Sequence, residues 1–231
     1  MKSFSIVIPI FNESENIKKL IYEILDSLSD YQNFEIILVD DGSTDNSKEI
    51  INNFIKNNFI ILVKHNNNLG QSKSILSGIK KAKYQTIVTL DGDGQNNPYD
   101  ISKLLNIYFS NNFYLVGGIR TKRKDSIAKI LSSKIANFVR SSILQDNCKD
   151  TGCSLKVFDK DIFLTFPFFD GIHRFLPALF LGFGYKTHFL PVDHRKRLKG
   201  KSKYGNFGRL FKGIFDLIKV KMLIKRNKKN L

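Results

Sequence analysis

Cysteine is nearly missing from this chain of 231 residues: Cys148 and Cys153 are the only two. Two thiols make no disulfide framework, and no further Cys or paired His completes a zinc site. A reduced, cytosolic compartment is therefore expected. No stretch approaches the roughly 18 uninterrupted apolar residues of a membrane-spanning helix. The chain enters a strand-like run, Phe4–Ile10, almost at once, without the basic region, apolar core and cleavage site of a signal peptide. Internal repeats and Pro- or Ser-rich linkers are also missing, so nothing of that kind divides the sequence.

Acid is scarce as well. Asp and Glu number 21 against 37 Lys and Arg, a formal net charge of +16. Between Arg195 and Leu231 there are fourteen basic residues and a single acid, Asp216. Such a balance implies a partner rich in phosphate: nucleic acid, an anionic membrane face or a phosphorylated substrate. No recognised nucleic-acid module accompanies the charge, and nucleic acid is set aside as a partner. The apolar content of 42%, with 12% aromatics, suffices for a real core and excludes wholesale disorder.

What is present alternates between two periods. Apolar runs at Phe4–Ile10, Phe34–Val39, Phe59–Val63 and Thr86–Leu90 read as strands. Between them, Glu13–Leu28 repeats apolar residues at helical spacing, a helix capped by Ser43 or Thr44 runs to Phe54, and another spans about Leu69 to Ala82. This order predicts a doubly wound, mainly parallel α/β sheet with helices on both faces. Further on, Pro98–Phe109 and Ser126–Leu144 read as helices, and Phe113–Gly117 and Gly152–Phe158 as strands. The segment Phe163–Phe183 is crowded with Phe and Leu. A basic loop, about Arg195–Tyr204, precedes an amphipathic helix from about Phe207 to Leu223. The expected division is a main domain over 1–205 and a basic helical tail over 206–231.

The few acids gather at strand ends. Asp91-Gly92-Asp93 follows a wholly apolar strand, with Gln95 two residues on. Two carboxylates at that spacing, with an amide oxygen beside them, suit a divalent cation that keeps some water and bridges to phosphate oxygens. Asp40-Asp41-Gly42-Ser43 ends an earlier strand, and Pro9-Ile10-Phe11-Asn12-Glu13 ends the first. In an open parallel sheet, ligands collect outside the carboxyl ends of strands, so these clusters should face one crevice. Each is also an ordinary turn sequence taken alone. The basic loop is either a solvated face or a flap over an anion. The final helix is either a core helix or one lying in a membrane interface, with the excess of Lys and Arg favouring the second. No role is assigned to His65, His173 or His188.

The order Val-Ile-Pro-Ile-Phe-Asn-Glu, Leu-Val-Asp-Asp-Gly-Ser-Thr-Asp, Asn-Leu-Gly-Gln, Leu-Asp-Gly-Asp-Gly-Gln and Arg-Leu-Lys-Gly-Lys-Ser-Lys-Tyr resembles family 2 glycosyltransferases. Within them it is similar to the dolichyl-phosphate mannose synthase group and its bacterial polyprenyl-phosphate relatives. The resemblance implies a GT-A fold, a nucleotide diphosphate sugar donor, a polyprenyl phosphate acceptor, and Mg2+ or Mn2+. By motif, Pro9, Phe11 and Glu13 would line the nucleoside pocket, and Val39 and Asp41 would hold base and ribose. Phe11 stands where the family often has Tyr. Asp91, Asp93 and Gln95 match the metal set, with Gly92 against the nucleotide. Arg120 matches a phosphate-contacting position, and Lys129 and Ser133 match acceptor-phosphate positions, although Arg is frequent where Lys129 stands. Arg197 and Lys203 match the basic pair of a late closing loop, and Asp150 falls on the acceptor side.

The implied reaction is inverting transfer at the cytosolic membrane face, with peripheral attachment by the last helix and self-association left open. A phosphate acceptor needs little help from a base, because its second pKa is about 6. The competing acceptor, a sugar hydroxyl of a surface polysaccharide, would need one, and Asp150 would then supply it.

Overall fold

The computed structural model of the chain describes residues 2–121, 127–196 and 207–229, and of 127–134, 136, 207–212 and 229 only the backbone. Apolar runs bounded by turn formers become β1 (Phe4–Ile10), β2 (Phe34–Asp40), β3 (Ile60–Lys64) and β4 (Thr86–Thr89). The stretches of helical period between them become α1 (Ser14–Ser27), α2 (Ser47–Asn52) and α3 (Gln71–Lys81). All four strands are parallel, with Phe4 in register with both Phe34 and Thr86. A 3-10 turn at Pro98–Asp100 leads into α4 (Ile101–Ser110), followed by β5 (Leu115–Thr121) and α5 (Ile127–Leu144). The chain then forms β6 (Lys156–Asp159), α6 (Lys160–Thr165), α7 (Leu176–Gly182), β7 (Thr187–Asp193) and α8 (Phe207–Lys229).

The seven strands lie in the order β3-β2-β1-β4-β6-β5-β7. Only β6 opposes its neighbours, so the sheet is mainly parallel and mixed, as the GT-A resemblance implies. Side chains alternate across β1. Phe4, Ile6, Ile8 and Ile10 face α1 and α4, while Val7 faces α3 and the Phe-rich stretch. In that second layer Phe180 meets Phe158 and Phe166 edge-on at centroid separations of 6.0 and 5.2 Å, Phe163 lies tilted against Phe158 at 5.6 Å, and Val220 of α8 closes the layer. Both cysteines lie inside, and burial pushes each thiol up to about 11, which leaves them inert. Among the described residues no helix is long and apolar enough to cross a membrane.

Five local readings are corrected. Helix α2 starts at Ser47, because Ser43 and Thr44 are spent on Asn12. The Asn12 N–H donates to Ser43 Oγ at 2.9 Å, and Thr44 N donates to Asn12 Oδ1 at 2.7 Å. Strand β5 begins and ends later than Phe113–Gly117 and so carries Arg120. Strand β6 is short, since residues 150–155 form the loop that shapes the site. Strand β7 escaped the sequence reading: it is an edge strand containing Pro191, which a central strand would exclude. The last helix also runs on past Leu223, to Lys229.

Close approach of α3 to the sheet depends on Gly78. A Cβ there would come within 2.4 Å of Val7 Cγ1 and 3.0 Å of Val39 Cγ2. Gly78→Ala should therefore lower stability by about 1–3 kcal/mol, read as a shift in urea midpoint at unchanged slope.

Candidate active site

Loops at the carboxyl ends of β1, β2 and β4 meet on one side of the sheet, as the topology requires. Asn12, at φ 53°, turns the chain after β1 and links it to the 43–45 turn. The sequence reading passed over this residue. Asp45 accepts from Ser14 N at 3.0 Å and Ser47 N at 2.9 Å. Partial burial opposes its ionisation, but those hydrogen bonds outweigh burial and hold its pKa below the usual value. Pro9 and Phe11 are half-buried beside the crevice. Glu13 is buried, its N–H donating to Ser47 Oγ and its Oε2 accepting from Asn16 Nδ2 at 2.7 Å.

Two expected nucleoside contacts need revision. The Val39 side chain is fully buried in the layer beneath α3, so only its main chain is left to meet a base. Asp41 is occupied by the polypeptide. Its Oδ1 accepts from Leu69 N at 2.9 Å, its Oδ2 from Gly70 N at 2.8 Å, and His65 Nδ1 lies 2.7 Å from Oδ1. His65 Nε2 in turn meets Ser77 Oγ at 2.9 Å. Asp41 thus organises the β3–α3 loop, and His65, given no role from sequence, braces it.

Asp91 and Asp93 stand together just past β4. Gln71 Nε2 donates to Asp91 Oδ1 at 2.7 Å, Asp91 N donates to Asn96 Oδ1 at 3.1 Å, and Gln95 N donates to Asp93 Oδ1 at 3.1 Å. Burial raises the pKa of Asp91; the Ser154 hydroxyl and the charges of Lys156 and Arg120 oppose that rise, while Glu13 adds to it. Gly92 is buried, and a Cβ there would lie 3.1 Å from the Pro9 carbonyl oxygen, which accounts for glycine at this position. Among the described residues no three His, Cys, Asp or Glu side chains form a ready-made metal cage. Two carboxylates and an amide oxygen still fit a hard cation that completes its shell with water and phosphate oxygens.

Arg120 and Asp150 form a two-pronged ion pair. Arg120 Nε donates to Asp150 Oδ2 and Nη2 to Oδ1, both at 2.8 Å, and the Arg120 N–H adds a third bond to Oδ2 at 3.1 Å. Glycine is needed at 152, where a Cβ would sit 2.8 Å from Arg120 Nη2. Lys129 and Ser133 belong to α5, with side chains outside the described set; Arg197 and Lys203 also lie outside the described residues. The approach to that loop is visible. Asn96 bridges to His194, Arg195 N donates to Gln95 O at 2.9 Å, and Arg195 Nη1 reaches Glu23 at 2.7 Å. The basic segment therefore leaves from beside the Asp91–Gln95 turn.

A cleft of about 360 Å³ opens next to Asp91, bounded by Gly70 and Gln71, the 151–154 loop, Lys156 and residues 170–174. Lys156 is 4% exposed, with Nζ bonded to the carbonyls of Cys153 and Thr151. His173 Nδ1 lies 2.7 Å from Ser72 Oγ, and Arg174 Nη2 reaches Asp216 Oδ2 of α8 at 3.3 Å. From sequence, Gln71 entered only as the last residue of the Asn-Leu-Gly-Gln motif, His173 was given no role, and Lys156 and Arg174 were not singled out. A lysine inside the apolar run Leu155–Phe158 was the one available signal.

With this geometry in place, the comparisons are informative. The profile described as Glycosyl transferase family 2 matches residues 5–165. The chain is 34% identical over 221 residues to an undecaprenyl-phosphate 4-deoxy-4-formamido-L-arabinose transferase of Pectobacterium carotovorum subsp. carotovorum, covering 94% of this chain and 67% of that one. It is 33% identical over 222 residues to a dodecaprenyl-phosphate galacturonate synthase of Rhizobium johnstonii, covering 94% and 65%. The chain thus spans about two-thirds of the length of these relatives. Among solved structures, glucosyl-3-phosphoglycerate synthase from Mycobacterium tuberculosis with Mg2+ and UDP superposes at a TM-score of 0.71 and 15% identity, covering 96% of this chain and 79% of that one. The same enzyme with Mn2+, UDP and phosphoglyceric acid gives 0.69 at 16% identity, covering 98% and 78%. Likeness at that identity speaks for the fold alone, and the fold is GT-A. The chain belongs to glycosyl transferase family 2.

Proposed function

We propose that the chain transfers a sugar from a nucleotide diphosphate sugar to a polyprenyl phosphate, with inversion at the anomeric carbon. The observation that carries this reading is the Asp91–Gln95 turn, set at the strand ends beside a sugar-sized cleft and the root of a basic segment. The relatives named above are transferases of undecaprenyl and dodecaprenyl phosphate by name, which supports the acceptor class. Asp91, Asp93 and Gln95 would hold a divalent cation, which when bound neutralises charge on the leaving diphosphate. Phe11 and Pro9 line the nucleoside side, and Gln71 orients Asp91. Arg197 and Lys203 would cover the donor, and Arg120, Lys129 and Ser133 would meet the acceptor phosphate. An ionised phosphate attacks without a base, so positioning and charge carry the rate.

The arrangement at Asp150 favours this acceptor over a sugar hydroxyl. Both of its oxygens accept hydrogen bonds from Arg120, so it serves to fix that guanidinium rather than to receive a proton. Attachment to the cytosolic membrane face is supported by α8, which leaves Ile214, Phe215, Ile218 and Met222 exposed among lysines, and by Phe138 and Val139 of the adjoining α5.

Three outcomes are expected. Radiolabelled sugar should pass from the nucleotide into organic-extractable product when polyprenyl phosphate is supplied, and Asp93→Ala should abolish transfer at an unchanged thermal midpoint. Substituting Asp150 by Ala should cost about 3–5 kcal/mol by stranding the Arg120 charge, with the double variant Arg120→Ala/Asp150→Ala recovering part of the thermal midpoint; a fully stable, merely inactive Asp150→Ala would instead point to a base. Phe215→Glu with Ile218→Glu should reduce co-sedimentation with phosphatidylglycerol vesicles, without altering the melting curve.

A further inference from the structure

Three features of the cleft lack something of the same kind. Lys156 is buried, yet no carboxylate lies within ion-pair distance of it among the described residues; main-chain carbonyls of Cys153 and Thr151 are its only hydrogen-bond partners there. A cation held this way lacks full compensation inside a protein. Arg174 gives one nitrogen to Asp216, while its buried Nε has no hydrogen-bond partner. Helix α3, eleven residues long, begins at the cleft: Asp41 takes the Gly70 N–H, while Gly70, as N-cap, has no side chain to cap the N–H groups of the first turn. That leaves the positive end of the helix facing the same space.

All three line one cavity, and all three want negative oxygen. We propose that Lys156, Arg174 and the start of α3 form an oxyanion-binding pocket, adjoining the diphosphate position at Asp91 and Asp93. Its ligand is a phosphate or carboxylate group borne by a substrate: the phosphate monoester of the lipid acceptor, which Arg120, Lys129 and Ser133 would then share, or an acidic group on the transferred sugar. Only the source of the oxyanion rests on the glycosyltransferase reading; the binding does not. Asp91 and Asp170 also line the cleft. Gln71 already engages Asp91, and two acids at the wall limit the pocket to an anion that reaches Lys156 directly. His173 adds a ring nitrogen at the rim, tied to Ser72.

Calorimetric titration of the full chain tests this in two arms. The first compares geranyl phosphate with geraniol, and the second compares UDP-glucuronate with UDP-glucose. Lys156→Met should weaken binding of the charged member of one pair at least tenfold and leave its neutral counterpart unchanged, while Lys156→Arg retains most of the affinity. Loss in the first arm assigns the pocket to the lipid phosphate, and loss in the second to an acid on the sugar; either supports it. Should Lys156→Met lower the thermal midpoint, Arg174→Gln, at a half-exposed position, provides the same reading. Unchanged affinity in both arms with both variants folded overturns the pocket, as does a wild-type chain that prefers neither charged ligand. Tight charged-ligand binding without sugar transfer to lipid phosphate would leave the pocket standing and remove the proposed function instead.

Discussion

The Asp41 carboxylate holds the donor side of the cleft in place. It takes two main-chain N–H groups, from Leu69 and Gly70, and the ring of His65, at 2.7 to 2.9 Å. Hydrogen bonds to a buried charge contribute about 1.5–3 kcal/mol each, enough to fix a loop that would otherwise lose entropy on ordering. Gly70 is the residue before α3, so pinning its N–H fixes where that helix begins. Gln71, the next residue, then stands where its amide reaches Asp91 at 2.7 Å. A carboxylate at the end of β2 thereby positions a carboxylate at the end of β4 through the start of α3. Gly42, at φ 73°, belongs to the same arrangement: a Cβ there would come within 2.7 Å of the Asn67 backbone.

Around that frame the buried charges divide into closed and open pairs. Arg140 with Asp146, and Arg120 with Asp150, are closed: each joins a buried carboxylate to a guanidinium, at 3.1 and 2.8 Å. Such pairs give little net stability but fix geometry, since losing either partner strands a charge. Among the described residues Lys156 is the open case, a cation hydrogen-bonded to carbonyl groups alone. Its charge is felt at Asp91, where it opposes the rise in pKa caused by burial. The protein thus places a positive charge that has no ion-pair contact among the described residues close to a reluctant negative one, beside the space a substrate would fill.

How legible was this in the sequence? The parallel half was open to reading because each apolar run is one strand long and each intervening segment repeats at helical period. The acids at strand ends were readable for the same reason, as topology brings those ends together. Orientation was harder. Val39 looked like a site residue by position, but alternation turns its side chain under α3. Ser43 and Thr44 looked like helix caps until Asn12, more than 30 residues earlier, claimed them. Strand β7 was hidden by Pro191 and by pairing with a distant partner, β5. The cleft was least visible of all: Gln71, Lys156 and Arg174 meet only through contacts of long sequence separation, which no local pattern encodes.

Helix α8 joins the exposed apolar and cationic face to the wall of the cleft. Phe215 is 73% exposed, while the next residue, Asp216, is turned inward onto Arg174. Adjacent residues on a helix lie about 100° apart, so one turn can present an aromatic to a surface and a carboxylate to the cleft. Gly171, at φ 107°, permits this: a Cβ would sit 2.7 Å from Asp216 Oδ2 and 2.9 Å from Arg174 Nη2. Asp216 is also the single acid in a tail of fourteen basic residues, and it is spent on the cleft rather than on lowering the charge of the exposed face. The tail is therefore no detachable appendage in physical terms. Val220 closes the second core layer, Asp216 restrains a cleft arginine, and the exposed face keeps its apolar and cationic character undiluted. A force that reorients α8, such as docking on an anionic surface, would act on Arg174 through one hydrogen bond, and so on the wall of the cleft.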